Sequence, residues 1–291
     1  MADRRLTAAR GDIAAKHLEG QVQADRFVEG EELEVIEPIA PLRQAPSHGA
    51  SLETEALKGE RVTVYDRDGE GWCWGQLHGD GYVGWLPDSA LVRPRTRPTH
   101  RVTALRTFAF SSPSIKTPPV EALPLGAALE VVRNDGTFAI TPQQHFIPLQ
   151  HLSALSLFDN DFVSIAERFV GAPYLWGGKT ALGIDCSGLV QIALGACGMA
   201  VPRDSDLQQE ALGDVIEDAD FEDLRRGDLI FWKGHVAIVR DQDTIVHANA
   251  FHMAVAIEPI VEAHQRILAA GTDILSVRRL FEPPIDPAFI V

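Results

Sequence analysis

No stretch of this 291-residue chain stays apolar for long enough to cross a bilayer, which excludes a helical membrane span. The first twenty residues, MADRRLTAARGDIAAKHLEG, carry basic side chains with no apolar run behind them. The expectation is neither a signal peptide nor a lipid anchor. Cysteine is scarce: Cys73, Cys186 and Cys197 are an odd number, and none forms a C-x-x-C pair. That excludes a disulfide framework and a zinc site, and no metal or other cofactor is expected. Basic residues are short too, 26 against 41 acidic ones, for a net charge of −15. Phosphate polymers and anionic surfaces repel such a chain, so neither nucleic acid nor membrane is an expected partner. The sum of these shortages points to a cytoplasmic protein with reduced thiols, and leaves open export by a route they do not reveal.

What is present divides in two near residue 157. Up to Leu155, short apolar stretches are broken by Gly, Pro and Asp. ERVTVYD alternates with period two, and GWCWGQL and GYVGWLP follow, short and aromatic, a spacing that suggests a small barrel. The segment echoes itself. GWLPDSAL at 84–91 resembles HFIPLQHL at 145–152, with Pro148 lying 61 residues after Pro87. Leu105 answers Leu42 at 63, and Gly126 answers Gly59 at 67. Unequal offsets fit one fold repeated with unequal loops, and the features resemble two bacterial SH3-like barrels, 30–95 and 98–155. The alternative is one irregular β-domain with a chance echo. RPRTRPTH, 93–100, reads as the linker. Residues 1–29 are expected to include a short helix capped by Asp12.

After 157 the pattern turns helical. DNDFVSIAERFVG sets Phe162, Ile165, Phe169 and Val170 on one face, with Asp161 as cap and Gly171 as stop. CSGLVQIALGACG follows a Gly-rich loop and ends at Gly198. The stretches DLIFW, HVAIVR, TIVHANA, AVAIE and ILSVRRL read as strands, and IVEAHQRILAAG as a helix. Helices first and antiparallel strands after make an α+β domain. Cys186 opens a helix, where the helix dipole and free N–H groups lower a thiol pKa and favour the nucleophilic thiolate. Such a nucleophile needs a histidine base and a third group to orient it. Across the DQD turn, pairing residue 239 with 244 brings His235 beside residue 248 and so next to His247. Cys197 and Cys73 read as packing residues, and His252 as a loop residue outside the chemistry.

Six phrases in order, PYLWGG (173–178), DCSGLV (185–190), VPRDS (201–205), RRGDLIFW (225–232), GHVAIV (234–239) and VHAN (246–249), resemble the NlpC/p60 family of cell-wall cysteine peptidases. The resemblance covers 157–283 and leaves 284–291 as a tail. It implies a papain-like α+β fold, Cys186 as nucleophile, His235 as general base and then acid, and His247 orienting His235. Members that carry two SH3-like barrels cut peptidoglycan stem peptides between γ-D-glutamate and a diamino acid, meso-diaminopimelate or lysine, and favour a free N-terminal L-alanine. The resemblance places Asp185 near that amine, Ser187 and Ser205 near the glutamate, and Tyr174 in the wall. Tyr82 would close the amine end; a core or rim aromatic is the other reading. A carboxylate left unpaired by an acylated amine costs on the order of several kcal/mol, so free peptides recovered from the wall are the expected substrates. A wall-binding protein without activity is the rival, opposed by the intact Cys186, His235 and His247. A lipid amidase or acyltransferase is another, and no membrane-binding segment supports it.

Overall fold

The computed structural model describes residues 3–95, 97–216 and 221–280; the expected tail at 284–291 and the last residues of the span to 283 lie outside them. Seven strands make the first β-unit, in the sheet order Leu52–Leu57, Ile39–Arg43, Val83–Pro87, Trp72–Leu77, Arg61–Arg67, Glu31–Val35, Leu91–Val92. Alternation sends Val62 and Val64, and Ala40 and Leu42, into one core with Cys73, Leu77 and Leu86. The Cys73 thiol donates to Asp88. Trp72–Leu77 is buried on both faces because residues 8–15 cover its outside, setting Ile13, Ala8 and Ala15 on Trp74. That packing overrules the helix expected from Asp12. Ala14–Ala15 pairs in parallel with Phe27–Val28, a single 3₁₀ turn spans Lys16–Leu18, and Asp12 binds Arg10 instead of capping a helix.

A second β-unit follows the same plan. Its strands form a five-stranded sheet, with Arg106–Phe110 between Pro119–Pro124 and Phe146–Pro148, and a three-stranded one centred on His100–Val102. Pro87 and Pro148 each end a strand and enter a 3₁₀ turn, Asp88–Ala90 and Leu149–His151. Gly59 and Gly126 both adopt φ near +87°, and their N–H groups bond Val35 and Val102 in the same way. Only glycine adopts that conformation without strain. One member of the sequence echo is not equivalent. Arg43 pairs with Trp85 as Phe110 pairs with Phe146, so Leu42 matches Ala109. Leu105 packs on the core of the following unit.

That unit is a six-stranded antiparallel sheet with helices on both faces. Its strands are β1 (Asp214–Val215), β2 (Leu229–Trp232), β3 (His235–Val239), β4 (Thr244–Asn249), β5 (Ala254–Pro259) and β6 (Ile274–Arg279), in the order β1-β6-β2-β3-β4-β5. Helices α1 (Phe162–Glu167) and α2 (Cys186–Ala196) cover one face through Val236, Ile238, Val246 and Ala248. Helix α4 (Ile260–Ala269) covers the other through Ala237, Val239 and Ile245. Asp161 caps α1 as expected, but α1 stops at Glu167, so Val163 faces the core and Val170 is exposed. Helix α3 (Ser205–Ala211), unforeseen in the sequence, follows the VPRDS phrase. Among the described residues no helix is long and apolar enough to cross a membrane.

Candidate active site

Cys186 is the first residue of α2 and is buried. Asp185 caps the helix, accepting from Gly188 N–H at 2.7 Å. A side chain at 188 would need space already filled by the Gly178 carbonyl, 2.4 Å from where its Cβ would stand. Glycine two residues after the cysteine therefore lets the helix start lie flat on the preceding loop. Cys186 packs in the same buried cluster as Val236, the residue that follows His235.

The hairpin between β3 and β4 pairs Val239 with Ile245 and Ile238 with Val246, one residue away from the register expected at the DQD turn. The slip decides the site, because shifting a strand by one residue reverses its faces. In the expected register the two histidines would point to opposite sides. In the actual one, His247 falls diagonally from His235 on the same face, and their Nε2 and Nδ1 atoms are 2.8 Å apart. The diagonal continues. His247 pairs with Ala256, two residues before Glu258, and His247 Nε2 lies 2.6 Å from Glu258 Oε1. Arg266 of α4 closes the row with two bonds to Glu258, 2.6 and 2.5 Å.

These contacts fix where the protons are. Burial would raise the Glu258 pKa, but His247 and Arg266 outweigh it and hold the carboxyl at about 2. As an ionised acceptor it requires His247 Nε2 to donate. Burial keeps His247 neutral despite that partner, so its Nδ1 accepts from His235 Nε2–H. The nitrogen of His235 left with a lone pair is Nδ1. Burial, with His247 and Arg266 adding to it, pushes His235 down to about 3. Burial, with the Asp185 charge adding to it, pushes the Cys186 thiol up to about 12. This corrects the expectation of a thiol acidified by the helix start. The capping carboxylate already meets the helix dipole, and desolvation outweighs the remaining N–H groups. Both shifts favour a neutral thiol beside a neutral imidazole.

The remaining expected residues separate into two groups. Asp185 does not face an open amine site. Its oxygens are taken by Arg203, at 2.9 and 2.7 Å, by Gly177 N–H at 2.8 Å and by the Gly188 cap. Ser187 is buried with them, its Oγ 2.9 Å from Arg203. Arg203 therefore pairs with Asp185, not with its neighbour Asp204, and reaches across the seam to Thr54 of the first β-unit at 3.0 Å. Tyr82, from the same β-unit, has its hydroxyl 3.0 Å from Asp204 and 3.2 Å from Glu53. Arg5 also contacts Asp204, at 2.8 Å, and Asp206. Ser205 begins α3 beside this cluster. Tyr174 is bound through its backbone to Met253, and its ring packs beside the core that holds Cys186. Cys197 is the C-cap of α2 and partly exposed, not a mid-helix core residue. Glu53, Glu258 and Arg266 were missed in the sequence. Glu258 had a signal: a charged residue in the apolar strand AVAIEP.

Two family models match the chain, "Bacterial dipeptidyl-peptidase Sh3 domain" over residues 42–91 and "NlpC/P60 family" over 171–268. A gamma-D-glutamyl-L-lysine dipeptidyl-peptidase of Bacillus cereus is 30% identical over 249 residues, 72% of this chain and 71% of that protein. The chain belongs to the NlpC/P60 family of cysteine peptidases. A second relative, dipeptidyl-peptidase 6 of Lysinibacillus sphaericus, is 28% identical over 253 residues, 79% of this chain and 92% of its own. The fold has a match in the crystal structure of an NlpC/P60 family protein from Bacillus cereus, with TM-score 0.73 and 22% identity, over 87% of this chain and all of that one. An SH3-like β-region ahead of an NlpC/P60 peptidase domain is thus the architecture.

Proposed function

We propose that this peptidase cleaves L-Ala-γ-D-Glu-diamino acid peptides derived from peptidoglycan, between the γ-glutamyl carbonyl and the diamino acid, meso-diaminopimelate or lysine. The observation that carries this reading is the pair of carboxylates, Glu53 and Asp204, converging on the one hydroxyl of Tyr82. One phenolic proton and one guanidinium, Arg5, which also serves Asp3 and Asp206, do not balance Glu53 and Asp204 together, so the seam between β-unit and peptidase keeps negative charge for an ammonium group. Asp204, not Asp185, takes the amine role in this account, with Glu53 as the acidic partner from the first β-unit. Arg203 ties that end to the nucleophile, since it follows Pro202, precedes Asp204 and grips Asp185 beside Cys186. The name of the Bacillus cereus relative supports the bond and the release of a dipeptide.

In the mechanism, His235 Nδ1 takes the thiol proton as Cys186 Sγ attacks the γ-carbonyl. The backbone N–H of Cys186 stabilises the oxyanion. The His235 imidazolium then protonates the leaving amine, and the neutral ring activates the water that releases the acyl group. In this reading Ser205 serves the glutamyl part of the substrate and Tyr174 forms part of the wall. A charge of −15 disfavours anionic wall polymers as the working surface and supports cytoplasmic recycling of small muropeptides.

His235→Ala is expected to lower kcat at least ~100-fold, the range for a general base. His247→Gln is expected to stay within ~10-fold of wild type, because an amide can accept from His235 and donate to Glu258. Single-turnover rates on the tripeptide check both, and equal losses contradict the assigned roles. The amine reading is tested with the free and N-acetylated tripeptide. Wild type should strongly prefer the free form, and Tyr82→Ala should reduce kcat/KM for it by ~10-fold or more, the value of one hydrogen bond to a charged group. Equal wild-type rates on the two peptides remove the amine site from the account.

A further inference from the structure

Arg266 has no direct part in the proposed chemistry, yet its two bonds to Glu258, 2.6 and 2.5 Å, are as short as the His247–Glu258 bond at 2.6 Å. Its guanidinium contacts both oxygens of Glu258 and sits 4.2 Å below the exposed ring of Phe251. Phe251 is 68% exposed, an unusual setting for a phenylalanine and one that a stacked cation accounts for. We propose that Arg266 is a positioning residue for the reaction, acting through Glu258 to hold His235 in the tautomer whose Nδ1 is free to accept the cysteine proton. The proposal rests on the reading of Cys186 and His235 as nucleophile and base.

The argument follows the protons. With Arg266 in place, the Glu258 charge is shared between a guanidinium and one imidazole N–H, and His247 stays neutral. Without Arg266, the same carboxylate faces His247 alone and favours a second proton there, as an opposite charge at hydrogen-bond distance does. His247 would take that proton from solvent onto Nδ1. Both of its nitrogens would then donate, Nε2–H to Glu258 and Nδ1–H to His235. His235 would have to present a lone pair at Nε2 and carry its single proton on Nδ1, where it can no longer accept one from sulfur. Neither ring is lost; the row is protonated once and reads the wrong way.

Among the described residues, charged and titratable groups face this row from several elements, Arg203 among them through Asp185 and Cys186. Glu258 comes from β5 and Arg266 from α4. His252, in the turn after β4, has Nδ1 3.9 Å from Glu258 Oε1. Cys186 and Asp185 come from the α2 side. Trp232 contributes an uncharged ring 5.7 Å from that of His235. Glu262 interacts with Arg266 from the same helix. Among them, Arg266 is the cation bonded directly to the carboxylate that sets the tautomer.

The test is the pH dependence of kcat/KM on the free tripeptide for wild type, Arg266→Met, Arg266→Lys and the double variant Glu258→Gln/Arg266→Met. Removing a charge at this range should move the acid limb of Arg266→Met to higher pH by about 1 unit or more. KM should be little changed, and alkaline activity should stay within about 3-fold of wild type. Arg266→Lys, which keeps the cation, should show little of the shift, and the double variant should not show it, because the unbalanced carboxylate is gone. Imidazole ¹⁵N spectra on a Cys186→Ala background give a readout independent of turnover: His247 should bear one proton, on Nε2, and gain a second at higher pH when Arg266 is methionine. A loss of the same factor at every pH, or unchanged ¹⁵N spectra in Arg266→Met, overturns the proposal. An inactive wild type would instead overturn the reading of the site, while the spectra would still report on Arg266.

Discussion

Replacing Cys186 by alanine is expected to lower hydrolysis of the tripeptide by at least ~10⁴-fold, with folding intact. Residues that act as one nucleophilic unit lose nearly the whole rate when any one is removed, and only binding and oxyanion contacts remain. The side chain is small and its neighbours are set by backbone, the Asp185 cap and the Gly188 contact, so alanine leaves the start of α2 as it is. Cys197→Ala provides the control. That residue is the partly exposed C-cap of the same helix, and its loss should keep most of the activity. Stopped assays over hours, with circular dichroism on each variant, separate the two. Wild-type turnover in both variants would remove the nucleophile assignment.

Arg203→Met is the second large effect, and it is one of stability. Arg203 is 1% exposed and pairs with Asp185 through two bonds, while also holding Ser187, Gly178 and Thr54. Methionine matches much of the volume but strands a buried carboxylate, at about 3–5 kcal/mol for a broken buried pair. The expected result is a Tm several degrees lower, by calorimetry. Removing the carboxylate as well, in Asp185→Asn/Arg203→Met, should recover part of the loss, since the residual charge causes most of it. A double variant as unstable as the sum of its parts would show that packing, not charge, is what Arg203 supplies. Because Arg203 also bonds Thr54 of the first β-unit, the single variant should loosen the seam and raise KM more than it lowers kcat.

The residues that could be read in the sequence are those whose meaning is local. Asp161 caps a helix because a carboxylate before an apolar period binds the first free N–H groups, and it does so; the same role of Asp185 went unread. Gly198 stops α2 with φ +83°, again a local property. The β-turn glycines of the repeated β-units belong to the same class. Errors arose where tertiary packing decides. The Asp12 helix lost to burial of Ile13, Ala14 and Ala15 on the barrel. The β3–β4 register, set by a turn that tolerates a one-residue slip, was out by one, and the slip alone decides whether His235 and His247 share a face. Glu53, Glu258 and Arg266 escaped because their meaning depends on strands and helices far away in sequence. The acidified thiol was inferred from the helix start by itself, whereas burial and the Asp185 charge act in the opposite sense and are visible only in three dimensions.

The most direct measurement is mass spectrometry of the products after incubating the protein with L-Ala-γ-D-Glu-meso-diaminopimelate and with the lysine analogue. The account predicts the dipeptide L-Ala-γ-D-Glu and the free diamino acid from at least one of them, in wild type and not in Cys186→Ala. Intact peptide in both samples, or cleavage at the L-Ala–D-Glu bond, would contradict it.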